Sequence, residues 1–186
     1  MKKWMLFPVV LFGLLCTLNG QPREWGYHAG STVLLSEVNG VNAISAGMTM
    51  GVSSGRFLLG FYGLKAITPA QTPTYESTLE EYGFQGTFLY PATSRLNFSF
   101  GLRVGLGEAG MEAIYKRVSE GLQKEDIWAA SPEAGVEFPL TRNLSLAYTA
   151  GYRWLWGAEN LEDVGCGSYS SIYTALSLRA GFFPGR

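Results

Sequence analysis

The stretch that decides the fold is LSLAYTAGYRWLWG at residues 144–157. Because successive side chains of a strand point to opposite faces, it separates into two alternating sets. One set is mostly bulky and apolar, and the other is mostly small or polar and contains Arg153. The bulky set consists of Leu144, Leu146, Tyr148, Ala150, Tyr152, Trp154 and Trp156. This pattern favours a narrow transmembrane barrel, with large side chains toward lipid and small or charged ones toward a crowded lumen. A half-buried strand of a soluble sandwich is the alternative, so the interpretation depends on repetition along the chain.

The N-terminus has the features of a secretory signal peptide. Lys2 and Lys3 precede an apolar run over residues 5–16 that is too short for a membrane-spanning helix. We expect cleavage after Gly20 and export, which leaves residues 21–186 as one domain. A lipidated Cys16 is the alternative, but Leu15 is large where that processing needs a small residue.

Composition excludes several classes of function. The formal net charge of -1 argues against nucleic acid as a partner, because nucleic-acid binding requires a basic face. After cleavage only Cys166 remains, so neither an intrachain disulfide nor a cysteine-based metal cluster can form. No sequence motif indicates a metal or a cofactor, and we expect none. The only histidine, His28, is predicted to point inward near the periplasmic start of the first strand, where it suits a lumen-filling role better than catalysis.

The alternating pattern repeats eight times and predicts an all-β, up-and-down antiparallel barrel. The predicted strands cover residues 24–35, 42–52, 56–67, 77–90, 96–107, 127–140, 144–157 and 169–183. An even number of antiparallel strands closes with both termini at one end. The strand at 56–67 is apolar on both faces, so its register is undecided. Longer polar connections, chiefly 108–126 and 158–168, are expected outside the cell and short turns on the periplasmic side.

Charged residues lie on the small-residue faces of the later strands. We predict a lumen charge network made of Glu81, Arg103, Glu133, Glu137, Arg153 and Arg179. Such charges must be paired or hydrated, because an isolated buried charge is strongly destabilising. The opposite faces are predicted to contact lipid through Phe98, Phe100, Tyr148, Tyr152, Trp154 and Trp156. The alternative is that the charges face bulk water on a soluble sheet.

The segment PEAGVEFPLTRNLSL at residues 132–146 and the aromatic end GFF at 181–183 make the chain resemble a known family. This family comprises the small eight-stranded outer-membrane β-barrel proteins of Gram-negative bacteria. The resemblance covers nearly all of residues 21–186. It implies an outer-membrane location, contact with outer-membrane lipid, and a terminal aromatic residue read by the barrel assembly machinery. Residues 184–186 follow that aromatic end here, which departs from the strict family form.

The resemblance does not settle function, because this family includes adhesins, resistance factors, structural proteins and a few enzymes. We expect a non-enzymatic membrane barrel with a structural or surface-interaction role, whose extracellular loops contact an unidentified partner or the outer leaflet. One alternative is a lipid-modifying barrel enzyme, which would gain support if a serine and a carboxylate met His28. Another is a soluble barrel that binds a small apolar ligand. A filled eight-stranded lumen leaves little space for a diffusion pore.

Overall fold

The computed structural model is a closed, eight-stranded antiparallel β-barrel, which confirms the predicted fold class. It describes residues 25–38, 41–68, 70–71, 75–93, 95–113, 123–157 and 170–183. Within these ranges no residue is helical. The described part of the chain has no helix long and apolar enough to span a membrane. The predicted signal peptide, the loop at 158–168 and Cys166 lie outside the described residues.

Eight long strands form the wall. They are β1 (Trp25–Val38), β2 (Val41–Ser54), β3 (Phe57–Thr68), β4 (Tyr75–Thr93), β5 (Leu96–Ala113), β6 (Gln123–Pro139), β7 (Leu144–Trp156) and β8 (Ser171–Phe182). A two-residue strand, Ala70–Gln71, follows β3 and also pairs with β4. Each long strand pairs with the next one in the chain, and β1 pairs with β8. Closure removes the free sheet edges, as a sheet in lipid requires.

The register of the strands fixes the width of the barrel. Successive pairing partners around the wall, starting from Trp25, are Ser54, Phe57, Phe88, Phe100, Ala134, Ala150, Thr174 and finally Leu35. A path that follows these direct neighbours once around the barrel therefore returns to β1 ten residues further along, at residue 35 instead of residue 25. For eight strands this shift corresponds to a strand tilt of about 40°. At that tilt about ten residues cross the hydrocarbon of a bilayer, and the lumen is just wide enough for side chains to fill.

The side chains of the barrel alternate as the sequence predicts. On β7, Ser145, Ala147 and Arg153 are buried in the lumen, while Trp154 and Trp156 are exposed on the outer face. Large apolar side chains are exposed on all eight long strands, with Tyr27, Met48, Phe61, Phe84, Phe100, Trp128, Tyr148 and Leu176 as one example from each. The barrel is therefore inverted relative to a soluble protein, whose large apolar residues lie inside.

The structure resolves the register of β3, which the sequence left open. Phe57 and Phe61 face outward, whereas Leu58, Tyr62 and Leu64 face the lumen. Two apolar faces would fit either orientation, but only Tyr62 carries a hydroxyl that needs a partner when buried. In the observed register this hydroxyl donates a hydrogen bond to Glu81.

Several predicted loop boundaries were wrong, because the strands extend further than the alternating pattern. The predicted loop 108–126 contains strand at both ends, since β5 continues to residue 113 and β6 begins at residue 123. Likewise, β1 continues to Val38 and pairs there with Val41, so most of the connection expected between the predicted strands 24–35 and 42–52 is itself strand. Beyond the apolar band, outward positions carry charged residues such as Glu108 and Lys124. The apolar alternation therefore ends there while backbone pairing continues.

Candidate functional site

Among the described residues, buried polar and charged side chains are concentrated in the lumen. The structure places all six residues of the predicted charge network inside, each at most 6% exposed: Glu81, Arg103, Glu133, Glu137, Arg153 and Arg179. They form three acid–base pairs at successive levels along the barrel axis. Arginine suits such buried pairs because its planar guanidinium offers five donors and is weakly hydrated.

The central pair joins neighbouring strands β5 and β6. Arg103 donates a hydrogen bond of 2.6 Å from Nη2 to Oε2 of Glu133. The same carboxylate oxygen accepts hydrogen bonds from the hydroxyls of Tyr173 at 3.1 Å and Thr149 at 3.4 Å. The Arg103 guanidinium carbon lies 5.8 Å from the ring centroid of Tyr62 and 5.5 Å from that of Tyr173. These contacts offset the unfavourable desolvation of both charges.

Glycines provide the space that the central cluster occupies. A Cβ atom added at Gly101, Gly105 or Gly151 would approach a network side chain to between 2.5 and 2.9 Å. The side chains concerned are Glu133 at Gly101, Tyr62 at Gly105 and Tyr173 at Gly151. Contacts this short exclude a larger residue unless the network moves. Small residues on the inner face thus set where the long polar side chains can lie.

A second pair lies toward the end of the barrel that is predicted to be extracellular, and it crosses the lumen from β7 to β4. Arg153 Nη1 is 3.6 Å from Oε2 of Glu81, and its Nη2 donates a hydrogen bond of 3.2 Å to the hydroxyl of Ser36. The other carboxylate oxygen of Glu81 accepts a 2.7 Å hydrogen bond from Tyr62. Since the ring of Tyr62 also contacts the Arg103 guanidinium, this tyrosine links the second pair to the central one.

The third pair lies toward the opposite end, which is predicted to be periplasmic, and it spans β6 and β8. Arg179 Nη1 donates a hydrogen bond of 2.7 Å to Oε2 of Glu137. Both side chains are almost completely buried. On β6, Glu137 is four residues closer than Glu133 to the turn that leads into β7. The three pairs therefore form a column of charge at successive levels of the lumen rather than one compact site.

Apolar residues close the lumen at both ends of this column. At the periplasmic end, Leu58, Leu89 and Phe183 form a buried cluster. Toward the extracellular end, Leu79 and Leu155 are buried, each two residues beyond Glu81 or Arg153 on its own strand. In the described part of the barrel, buried apolar side chains therefore lie both above and below the charged residues.

We expect the folded barrel to show no steady ion conductance when it is inserted into a planar lipid bilayer. The paired charges fill the lumen, and the apolar layers above and below them exclude hydrated ions. The measurement is the single-channel current at increasing voltage. The protein used is first shown to be folded by its different gel mobility before and after heating. Steady current steps that scale with the amount of folded barrel would contradict a sealed interior.

His28 lies at the opposite end of the barrel from the Arg153–Glu81 pair. The structure places it on β1 near the periplasmic mouth, buried, with its ring centroid 6.4 Å from that of Phe183. An enzyme that acts on outer-leaflet lipid would need its site near the opposite rim. Among the described residues there is no group of three or more His, Cys, Asp or Glu side chains placed to hold a metal ion.

The outer face carries the residues predicted to contact lipid. The structure places all six on the outside, between 37% and 55% exposed: Phe98, Phe100, Tyr148, Tyr152, Trp154 and Trp156. Trp128 and Trp156 are direct cross-strand neighbours near the extracellular end, and the ring of Tyr152 lies 5.2 Å from that of Trp154. Tyr27, Tyr90 and Phe182 are exposed near the periplasmic end. Aromatic residues at both ends of an apolar band are typical of membrane barrels.

A row of charged residues marks the upper limit of the apolar band. Lys65, Glu80, Glu108 and Asp126 are successive cross-strand neighbours on β3 to β6, and all four are exposed. Lys65 pairs with Glu80 at 3.1 Å, and Lys124 pairs with Glu108 at 2.9 Å. The hydrogen bond from Lys124 to Glu108 raises the pKa of this lysine. Strands β4 to β6 continue above the row.

The sequence did not identify the hydroxyl partners of the network. Tyr62, Tyr173, Thr149 and Ser36 each contact a buried charge, yet none was included in the predicted set. Tyr173 could have been predicted from the sequence, because it is a bulky polar residue among mostly small residues on the inner face of β8. No comparable signal exists for Tyr62, since both faces of β3 are apolar.

The barrel can be compared with solved structures. Neisserial surface protein A has a TM-score of 0.66 and 12% identity, over 86% of this chain and 99% of that protein. The chain has the fold of the eight-stranded outer-membrane β-barrels. The N-terminal β-barrel domain of Pseudomonas aeruginosa OprF matches with a TM-score of 0.52 and 13% identity, over 83% of this chain and 97% of that one. Ail, the attachment invasion locus protein of Yersinia pestis, matches with a TM-score of 0.51 and 9% identity, over 87% and 100%.

At these identities the likeness concerns the fold alone. Comparisons with protein-family models and with curated protein sequences gave no match.

Proposed function

We propose that the protein is an integral outer-membrane β-barrel protein of a Gram-negative bacterium, without enzymatic activity. Its role is structural or consists of contacts made at its extracellular side. The observation that carries this proposal is the inverted side-chain distribution, with large apolar residues outside and buried ion pairs inside. Monomeric soluble proteins rarely expose contiguous apolar patches larger than about 300–600 Å². Lipid is the solvent in which such an outer face is stable.

The contents of the lumen disfavour the two alternatives. A soluble carrier of apolar ligands needs an apolar cavity, but here ion pairs and hydroxyls occupy the interior. An enzyme needs polar groups that are presented to a substrate. In the described lumen the carboxylates and guanidinium groups are engaged with one another and with tyrosine, serine and threonine hydroxyls.

Contacts with partners are proposed at three places. Outer-membrane lipid covers the apolar band, and a surface partner or the outer leaflet meets the extracellular side, where β4 to β6 rise above the charged row. During assembly, the exposed Phe182 at the end of β8 is the aromatic residue offered to the barrel assembly machinery. The net charge of -1 gives no support to a nucleic-acid partner.

Membrane fractionation and gel mobility together test this proposal. We expect the full chain, expressed in a Gram-negative host, to be recovered with the outer membrane and to require detergent for extraction. Unheated protein should migrate differently from heated protein, because a closed barrel resists unfolding by detergent at room temperature. The lipids of the expressing cells should have the same mass spectrum as those of cells without the protein. Recovery in the aqueous fraction would contradict the membrane location, and a new lipid species would indicate an enzyme.

A further inference from the structure

The outer wall has a notch of about 450 Å³ between β2, β3 and β4. Gly63 forms its centre and has Met48 of β2 and Tyr82 of β4 as direct cross-strand neighbours. A Cβ atom added at Gly63 would meet no atom within 4 Å, whereas both neighbouring side chains are long and exposed. The absence of a side chain between two large ones creates the depression.

The lining of the notch changes from apolar to charged along the barrel axis. Toward the periplasmic end, Phe61 and Met50 are the next outward-facing residues on β3 and β2, and both line the notch. One outward position closer to the extracellular end, Lys65 lies opposite Glu80 with 3.1 Å between the ammonium and carboxylate. Apolar surface toward the middle of the bilayer and charge at its edge is the order of a lipid's acyl chain and headgroup.

Lys65 can contact a phosphate without losing its partner. An ammonium group has three donors, and Glu80 accepts from one of them. The Lys65 side chain is 70% exposed, so its other donors are accessible at the mouth of the notch. Lysine binds phosphate as a compact positive charge. Glu80 partly neutralises this charge, so the phosphate is held by the ammonium donors that Glu80 does not occupy.

We propose that this notch binds one phosphate-bearing lipid, with an acyl chain against Gly63 and the phosphate on Lys65. The inference rests on the proposed function, because it requires the outer face to lie in a bilayer. It goes beyond general lipid contact, since it assigns one lipid to one place on the wall. The volume of the notch lies within the range of small-ligand sites, about 300–1,000 Å³.

Native mass spectrometry of the folded barrel tests the assignment. Protein in detergent micelles, verified as folded by its heat-dependent gel mobility, is mixed with phosphatidylglycerol or with diacylglycerol of the same chains. We expect wild-type protein to retain one phosphatidylglycerol. Lys65→Gln should lower that retention about tenfold, the effect of losing one charge-assisted hydrogen bond. Lys65→Arg should preserve it.

Filling the notch tests the acyl-chain contact separately. Gly63→Leu should lower retention of both lipids, and Gly63→Ala, which fits the open space, should lower it less. Ala134→Leu creates a leucine on the outer face of β6 by adding three carbon atoms, against four at Gly63. Lys124→Gln removes the lysine of the other exposed pair. Neither control should change retention. Equal retention by wild type, Gly63→Leu and Lys65→Gln would overturn the proposal, leaving only nonspecific surrounding lipid. Loss of the gel-mobility difference in wild-type protein would instead contradict the membrane barrel itself.

Discussion

Replacing Glu133 with leucine should lower the free energy of unfolding by about 3–5 kcal/mol, the usual effect of removing one partner of a buried ion pair. Arg103, which is 4% exposed, would lose its 2.6 Å contact and remain as an uncompensated charge in the lumen. The hydroxyl of Tyr173 would lose its carboxylate acceptor as well. The expected loss is therefore larger than the transfer energy of the side chain alone would suggest.

Urea unfolding in detergent micelles, followed by tryptophan fluorescence, measures this loss. Glu108→Leu is the matched control, because it also removes a carboxylate paired with a base, but in a pair whose side chains are about half exposed. Exposed pairs contribute little, so this variant should unfold nearly as wild type does. The double variant Arg103→Met/Glu133→Leu should recover most of the lost stability, since neither charge is then left alone. If Glu133→Leu and Glu108→Leu unfolded alike, the central pair would not stabilise the barrel.

Alternation in the sequence was sufficient to predict the fold because it records which solvent each face of a strand meets. On β5, outward positions from Phe98 to Leu106 are apolar while Arg103 and the glycines beside it point inward. The pattern contains no information on backbone pairing beyond the bilayer. The extension of β5 through residue 113 was therefore missed, although its pairing with β4 and β6 is continuous.

The identity of the ion-pair partners was beyond the reach of the sequence for a geometric reason. Alternating acidic and basic strands suggest pairing between neighbours, and Arg103 with Glu133 follows that expectation. Arg179 instead reaches past β7 to Glu137, and Arg153 on β7 crosses the lumen to Glu81 on β4. Which inward residues share a level depends on the ten-residue shift around the barrel. That shift is a property of closure, so no single strand encodes it.

Leu102→Arg is expected to lower the free energy of unfolding by about 2–4 kcal/mol, the effect of an arginine on the lipid face at the bilayer midplane. Leu102 is the middle one of five exposed apolar positions on β5 that end at Leu106, and Glu108 follows outward. A guanidinium at Leu102 has to lie in hydrocarbon, because Glu108, the first charged outward position, is three outward positions away. Unfolding in phospholipid vesicles rather than micelles measures this effect, since vesicles impose a hydrocarbon layer of defined thickness.

Leu106→Arg on the same strand and face provides the control for depth. Residue 106 is adjacent to the charged row, so an arginine there can extend its guanidinium to the headgroups. The expected loss in the free energy of unfolding therefore falls to about 0–1 kcal/mol. Both substitutions remove a leucine and add an arginine, so only the distance from the bilayer centre differs between them. A soluble barrel would tolerate arginine equally at the two positions, because water would solvate both. Equal effects at Leu102 and Leu106 would therefore contradict a hydrocarbon environment for the outer face, whatever the lumen contains.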